Sequence, residues 1–143
     1  MSGFRLDPRL ERDCFVLGEL GSSLLLLLDN ALVPWFILVP RVAVTEVYEL
    51  EREQQLELLD QVSALSRFIK DEHRVDKLNV AAIGNVVRQL HVHVVGRREG
   101  DFCWPGVVWG ATGKQGYTAA EVEEMRGRVT AALGDDFTPV SGD

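Results

Sequence analysis

The sequence predicts an α+β protein with a mostly antiparallel sheet, and three observations carry that expectation. Cys14 to Val39 holds three short apolar stretches separated by loops of a few residues, too short for crossover helices, so these strands are expected to pair as hairpins. From Glu51 to Glu72 the pattern changes to helical spacing. Leu56, Leu59, Val62, Leu65 or Ser66, and Ile69 fall on one side, and Glu53, Glu57, Asp60, Arg67 and Lys70 on the other. Farther on, Arg88 to Arg97 reads as a strand, with strict apolar–polar alternation from Gln89 to Val94, the period of a half-buried strand. Strands, then a helix, then strands, then a helix is an α+β order.

Each element has its own signal. Asp7-Pro8 reads as a cap followed by proline in the first turn, predicting a short helix over Arg9 to Arg12. Cys14 to Leu20 is the first strand, ended by Gly21, and Ser23 to Asp29 is the second, with Asp29-Asn30 as the turn. Ala31 to Val39 is the third. Pro34 belongs at its start or on an edge, because proline cannot donate to a ladder. The long amphipathic helix follows, with His73 expected in solvent at its end. Leu78 to Ile83 is the next strand, Gly84-Asn85 a break, and Arg88 to Arg97 the strand that carries two histidines. Gly100 to Gly116 is rich in Gly, Pro and Trp, a loop long enough to be functional or interfacial. Thr118-Ala119-Ala120-Glu121 is a capping box opening a final helix over about 119–133, with Val122, Met125, Val129 and Leu133 as its apolar stripe. Gly134 terminates that helix, and Asp135 to Asp143 reads as a frayed tail. Without repeats or a splitting linker, residues 1–143 are expected to form one domain.

Composition narrows the function. A net charge of -7 argues against a surface that binds a nucleic-acid polymer, although Arg88, Arg97 and Arg98 leave room for a local phosphate site. Cys14 and Cys103 lie far apart and suggest neither a disulfide framework nor a cysteine zinc site. The apolar run Leu24 to Leu28 is too short to span a bilayer, and the charged N-terminal stretch lacks a signal-peptide core. The expectation is a cytoplasmic protein with no membrane partner.

The chemistry gathers on the histidine strand, where Gln89, His91 and His93 are expected on one face and Leu90, Val92 and Val94 on the other. One reading is two histidines with no chemistry. A second is a metal site, but two imidazoles need at least a third ligand, and no HExxH or cysteine pair supplies one. No metal or cofactor is therefore expected. The third is a nucleophile. A neutral imidazole attacks phosphorus well when its other nitrogen is held, and a neighbouring imidazole can donate to the phosphate oxygens. Gln89 would add an amide, and Arg97 and the backbone N–H groups of Gly84-Asn85 would hold further phosphate charge.

Gln89-Leu90-His91-Val92-His93-Val94-Val95 resembles the His-φ-His-φ-His-φ-φ signature of the histidine triad (HIT) superfamily of nucleotide hydrolases and transferases. Asn79 and Gly84-Asn85 match that family's upstream Asn and Gly-Gln positions, and Leu38-Val39-Pro40-Arg41 resembles its strand ending in Pro-Lys. The resemblance implies a HIT-like α+β fold, usually a homodimer, that binds a nucleotide or nucleoside phosphate derivative. It makes His91 the nucleophile that forms a covalent nucleotidyl-histidine at the α-phosphate, and His93 the residue that hydrogen-bonds the phosphate. Asn79 would lie near the ribose or support the triad, and Asn85 would contact phosphate. Two departures stand out. Gln89 replaces the first histidine and cannot titrate, and Ala43 falls where several members carry a further histidine. The alternatives to a hydrolase or transferase are a non-catalytic nucleotide-binding protein and a metal-dependent enzyme using His91 and His93.

Overall fold

The computed structural model describes residues 3–140. Asp7 caps α1 (Pro8–Asp13) by accepting from the Arg9 amide at 2.8 Å, and the chain passes directly into β1 (Cys14–Leu20). Next come β2 (Ser23–Leu28), β3 (Trp35–Pro40) and the long helix α2 (Arg52–His73). They are followed by β4 (Lys77–Ala81), β5 (Val92–Arg97), α3 (Ala119–Leu133) and β6 (Phe137–Pro139). The strands form a sheet in the order β4-β5-β3-β2-β1-β6, with every neighbouring pair antiparallel. The expected α+β fold with one long and one C-terminal helix is what the chain adopts. Among the described residues no helix is long and apolar enough to cross a membrane.

The period of 2 divides the sheet into two unlike faces. Val92 and Val94 join Leu25, Leu27, Phe36 and Leu38 on the side packed by α2 and α3. Val95 joins Leu26, Trp35, Ile37 and Val39 on the other, where Leu10 and Val108 complete a second core. Both helices therefore lie on one face, and the histidines are left on the face without them.

Several expectations change in detail. β5 begins at Val92 rather than Arg88, and β4 ends at Ala81; the intervening connection turns through Gly84 at φ 66°, a conformation that costs a side-chain-bearing residue energy. α2 buries Leu58, Gln61, Leu65, Phe68 and Ile69, while Leu56 and Leu59 are exposed. The true stripe is interrupted by a polar residue. Gln61 takes a core position because its amide accepts from the Ser23 hydroxyl at 2.6 Å and donates to the Leu20 carbonyl at 3.0 Å. His73, expected in solvent, is half-buried, its ring 6.0 Å from that of Phe68 and 6.4 Å from that of Phe36.

The expected frayed tail is partly ordered as well: Phe137 to Pro139 pairs with β1, and Phe137 is buried. This edge is prepared by a bulge between Val16 and Gly18. Arg126 of α3 donates to the carbonyls of Leu17 and Val16 at 3.1 and 3.0 Å there. Gly18 is needed because a Cβ would sit 2.3 Å from the Thr138 carbonyl oxygen.

Candidate active site

His91 stands where the 82–91 connection enters β5. Leu90, buried in the helix-side core, anchors the step before it, so the next side chain emerges on the opposite face. His91 Nδ1 lies 2.7 Å from the carbonyl oxygen of Gln89. A carbonyl oxygen only accepts, so Nδ1 carries the proton and Nε2 keeps its lone pair. His93, two residues on, places its ring centroid 5.0 Å from that of His91. Its Nδ1 accepts from the indole N–H of Trp35 at 3.0 Å. Both imidazoles are buried. Burial, and after it the neighbouring His91, pushes the His93 pKa down to about 4, so this ring is neutral near pH 7. Trp109 closes the cluster edge-on, 5.4 Å from His93 and 6.0 Å from Trp35 between ring centroids.

The residues expected around the histidines divide into those that meet them and those that do not. Gly84 lines a small concavity of about 40 Å³ with His91, Arg88 and Thr45. Asn85 lines a larger open cleft of about 830 Å³ together with Trp35, Trp109, Asp29 and Val86. Ile83 borders both spaces, so the connection that carries Gly84 and Asn85 runs between them.

Gln89 is a correction. It precedes the strand, so the alternation that was to put its amide beside the imidazoles does not reach it. Its side chain instead accepts from the Asp7 amide and donates to the Arg5 carbonyl, each at 2.9 Å, tying down the N-terminal stretch. Arg9 adds a bond to the Val86 carbonyl at 3.0 Å, so the same stretch also grips the connection. What Gln89 offers the site is its backbone carbonyl.

Arg97 and Asn79 bond to each other instead. Arg97 lies six residues along the strand from His91, on the order of 20 Å away. Its guanidinium donates from Nε and Nη2 to the Asp101 carboxylate at 2.8 and 2.9 Å and from Nη1 to the Asn79 side-chain oxygen at 3.0 Å. The Arg97 and Asp101 side chains are 2% and 8% exposed. Arg97 holds the Asp101 carboxyl down at about 2, and the Trp104 ring covers the guanidinium at 5.5 Å. These groups are a buried ion pair that fastens the start of the Gly100–Gly116 loop, with donors already engaged. Among the described residues no group of three or more His, Cys, Asp or Glu side chains is placed to hold a metal ion.

Trp35 is the residue that the sequence did not single out. Trp35 pairs with Val95 and Ile37 with His93, which makes Trp35 and His93 diagonal neighbours on one face, within reach of an aromatic side chain. The signal is present in the alternation of β3, but it has no meaning until the partner strand and register are known.

A family model for the HIT domain matches residues 9–100, more than half of the chain. The chain belongs to the histidine triad family. Solved structures agree with that membership over almost the whole length. A HIT protein from Sinorhizobium meliloti 1021 is 40% identical, with a TM-score of 0.88, and the match covers 92% of this chain and 98% of that one. A histidine triad protein from Marinobacter aquaeolei VT8 is 43% identical, with a TM-score of 0.87, covering 91% and 96%. One from Bradyrhizobium japonicum is 37% identical, with a TM-score of 0.88, covering 93% and 100%. No curated protein matches the sequence. HIT membership associates this chain with nucleotide binding and hydrolase-type chemistry in general.

Proposed function

We propose that this HIT protein is a nucleotide hydrolase or nucleotidyl transferase that acts at the α-phosphate of a nucleoside phosphate derivative, with His91 as the nucleophile. The observation that carries the reading is the 2.7 Å contact between His91 Nδ1 and the Gln89 carbonyl, which leaves the lone pair of the neutral ring on Nε2. In the first step that lone pair forms the N–P bond while the bond from phosphorus to the leaving group breaks, its electron pair departing with the leaving group. The imidazole then carries positive charge, which the Gln89 carbonyl oxygen stabilises through the Nδ1 proton. Water or an acceptor next attacks phosphorus. The N–P bond breaks, its electrons return to Nε2, and the attacking group's proton passes to solvent.

The neighbouring residues fit supporting roles. The neutral His93 would donate to a non-bridging phosphate oxygen, and the backbone around Gly84 would hold phosphate charge beside His91. Asn85, Asp29 and Trp109 line the cleft suited to the nucleoside. Asn79 and Arg97 act at a distance, through the ion pair that orders the following loop. A homodimer belongs to the same reading. β4 is an edge strand, and Val80, with Ile83 and Val86 just beyond it, is exposed there, an apolar edge suited to a second copy of the chain.

The test is turnover of a panel of nucleoside phosphoramidates and dinucleoside polyphosphates, followed by mass spectrometry of the quenched enzyme. The expected result is a nucleotidyl adduct on His91, turnover abolished in His91→Ala, and turnover lowered roughly ten- to thousand-fold in His93→Ala. Nucleotide binding with no turnover and no adduct across the panel would instead identify a binding protein.

A further inference from the structure

We propose that Trp35 is a positioning residue that fixes His93 as the Nε2–H tautomer, making His93 a one-way hydrogen-bond donor to the phosphate. The proposal rests on the reading of His91 as nucleophile and adds the device that prepares its neighbour. The geometry is a buried hydrogen bond: the Trp35 indole N–H donates to His93 Nδ1 at 3.0 Å, and both residues are buried. A neutral imidazole has a single N–H. With Nδ1 accepting, that hydrogen lies on Nε2, the nitrogen on the other side of the ring. Placing the hydrogen on Nδ1 instead would set two N–H groups of buried side chains against each other, at a cost, since neither would find an acceptor in the other.

Indole has no acceptor to offer, so the hydrogen-bond chain stops at Trp35. A residue that both donates and accepts at this position would let His93 exchange tautomers or pass a proton onward; tryptophan permits neither. The two histidines of the site are thereby held in opposite senses. His91 has its proton on Nδ1, held by the Gln89 carbonyl, and presents a lone pair. His93 has its lone pair on Nδ1, held by Trp35, and presents a proton. A nucleophile and a donor side by side, each locked from behind, match what attack at a phosphate requires. The lock has a simple origin in the fold. Trp35 is diagonal to His93 across the β3–β5 pair, and Trp109 packs edge-on to both rings, restricting their rotation.

The decisive measurement is the tautomeric state of His93 by long-range nitrogen–proton correlation in the histidine-labelled protein, in the wild type and in a protein carrying benzothienylalanine at position 35. That analogue keeps the shape of tryptophan but replaces the N–H by sulfur, so packing is retained while the donor is lost. The wild type is expected to show His93 as Nε2–H alone, and the analogue a mixture of tautomers. In the same pair kcat is expected to fall roughly three- to tenfold, the worth of one hydrogen bond, with KM little changed. Trp35→Phe, checked for folding by circular dichroism, should behave in the same way. A wild-type His93 with its proton on Nδ1, an unchanged tautomer in the analogue, or a loss confined to KM would overturn the proposal. If the wild type turns over no nucleotide, the functional reading fails while the correlation spectra still decide whether Trp35 sets the tautomer.

Discussion

At the scale of single residues, burying an imidazole makes stability depend on pH, and His93 fixes the direction. Its pKa is 6.5 when free and about 4 in the folded protein, chiefly through burial. Between those values the unfolded chain binds a proton that the folded one does not, so stability is complete above about pH 6.5 and declines as pH falls toward 4. The expected loss is on the order of 3 kcal/mol. His73, also pushed down mainly by burial, adds to the decline in the same direction. Urea unfolding at steps from about pH 7.5 to about pH 4.5 should show midpoints falling in the wild type and a shallower fall in His93→Gln, which cannot titrate. Equal slopes in the two proteins would rule out His93 as the source. The same scale explains how Arg97 is accommodated: a cation this deeply buried is tolerated because Asp101 and Asn79 occupy its donors.

At the scale of elements, the C-terminal residues after α3 show how a short strand is held. Phe137 is buried, and its ring occupies the space that a side chain on Gly18 would fill, the Cζ atom lying 2.6 Å from that missing Cβ. β6 pairs with β1 over only three residues, and Phe137 is its buried apolar anchor. Phe137→Ala is expected to destabilise the protein by about 3 kcal/mol and to release β6. Denaturant titration and amide exchange over Phe137 to Pro139 would register both, and protection unchanged from the wild type would show that the ladder alone suffices. α2 makes a related point about polar residues in core positions. Leu56 and Leu59 have helical spacing yet face outward, because Gln61 supplies the hydrogen bonds that let a less obvious stripe pack against the sheet.

At the scale of the whole molecule, α2 and α3 cover one face of the sheet, and the other face carries α1, His91, His93, Trp35, Trp109 and the Gly100–Gly116 loop. The β4 edge remains open in the single chain, with Val80, Ile83 and Val86 exposed beside the connection that leads to His91. In the proposed homodimer this edge is covered. Sedimentation equilibrium is expected to give a dimer for the wild type and a monomer for Val80→Lys combined with Ile83→Lys, with the far-ultraviolet dichroism of the subunit unchanged. A double variant that stays dimeric would place the contact elsewhere, and the exposed Leu56, Leu59 and Tyr48 would be the next surface to alter.

Local rules made much of this protein legible from sequence. The alternation of the strands, the capping box at Thr118, the Asp7-Pro8 start and the pairing of His91 with His93 on one face all depend on residues a few positions apart, and each is present in the fold. The Gln-x-His-x-His stretch was also enough to suggest the family. Tertiary structure alone decided which partners distant residues meet. It drew the Gln89 amide to Arg5 and Asp7, joined Arg97 to Asp101 and Asn79, and brought Trp35 to His93 across two strands. The physical reason is that a polar group's role follows from what satisfies it once water is removed, and the partners of Gln89 and His93 lie 82 and 58 residues away in the chain.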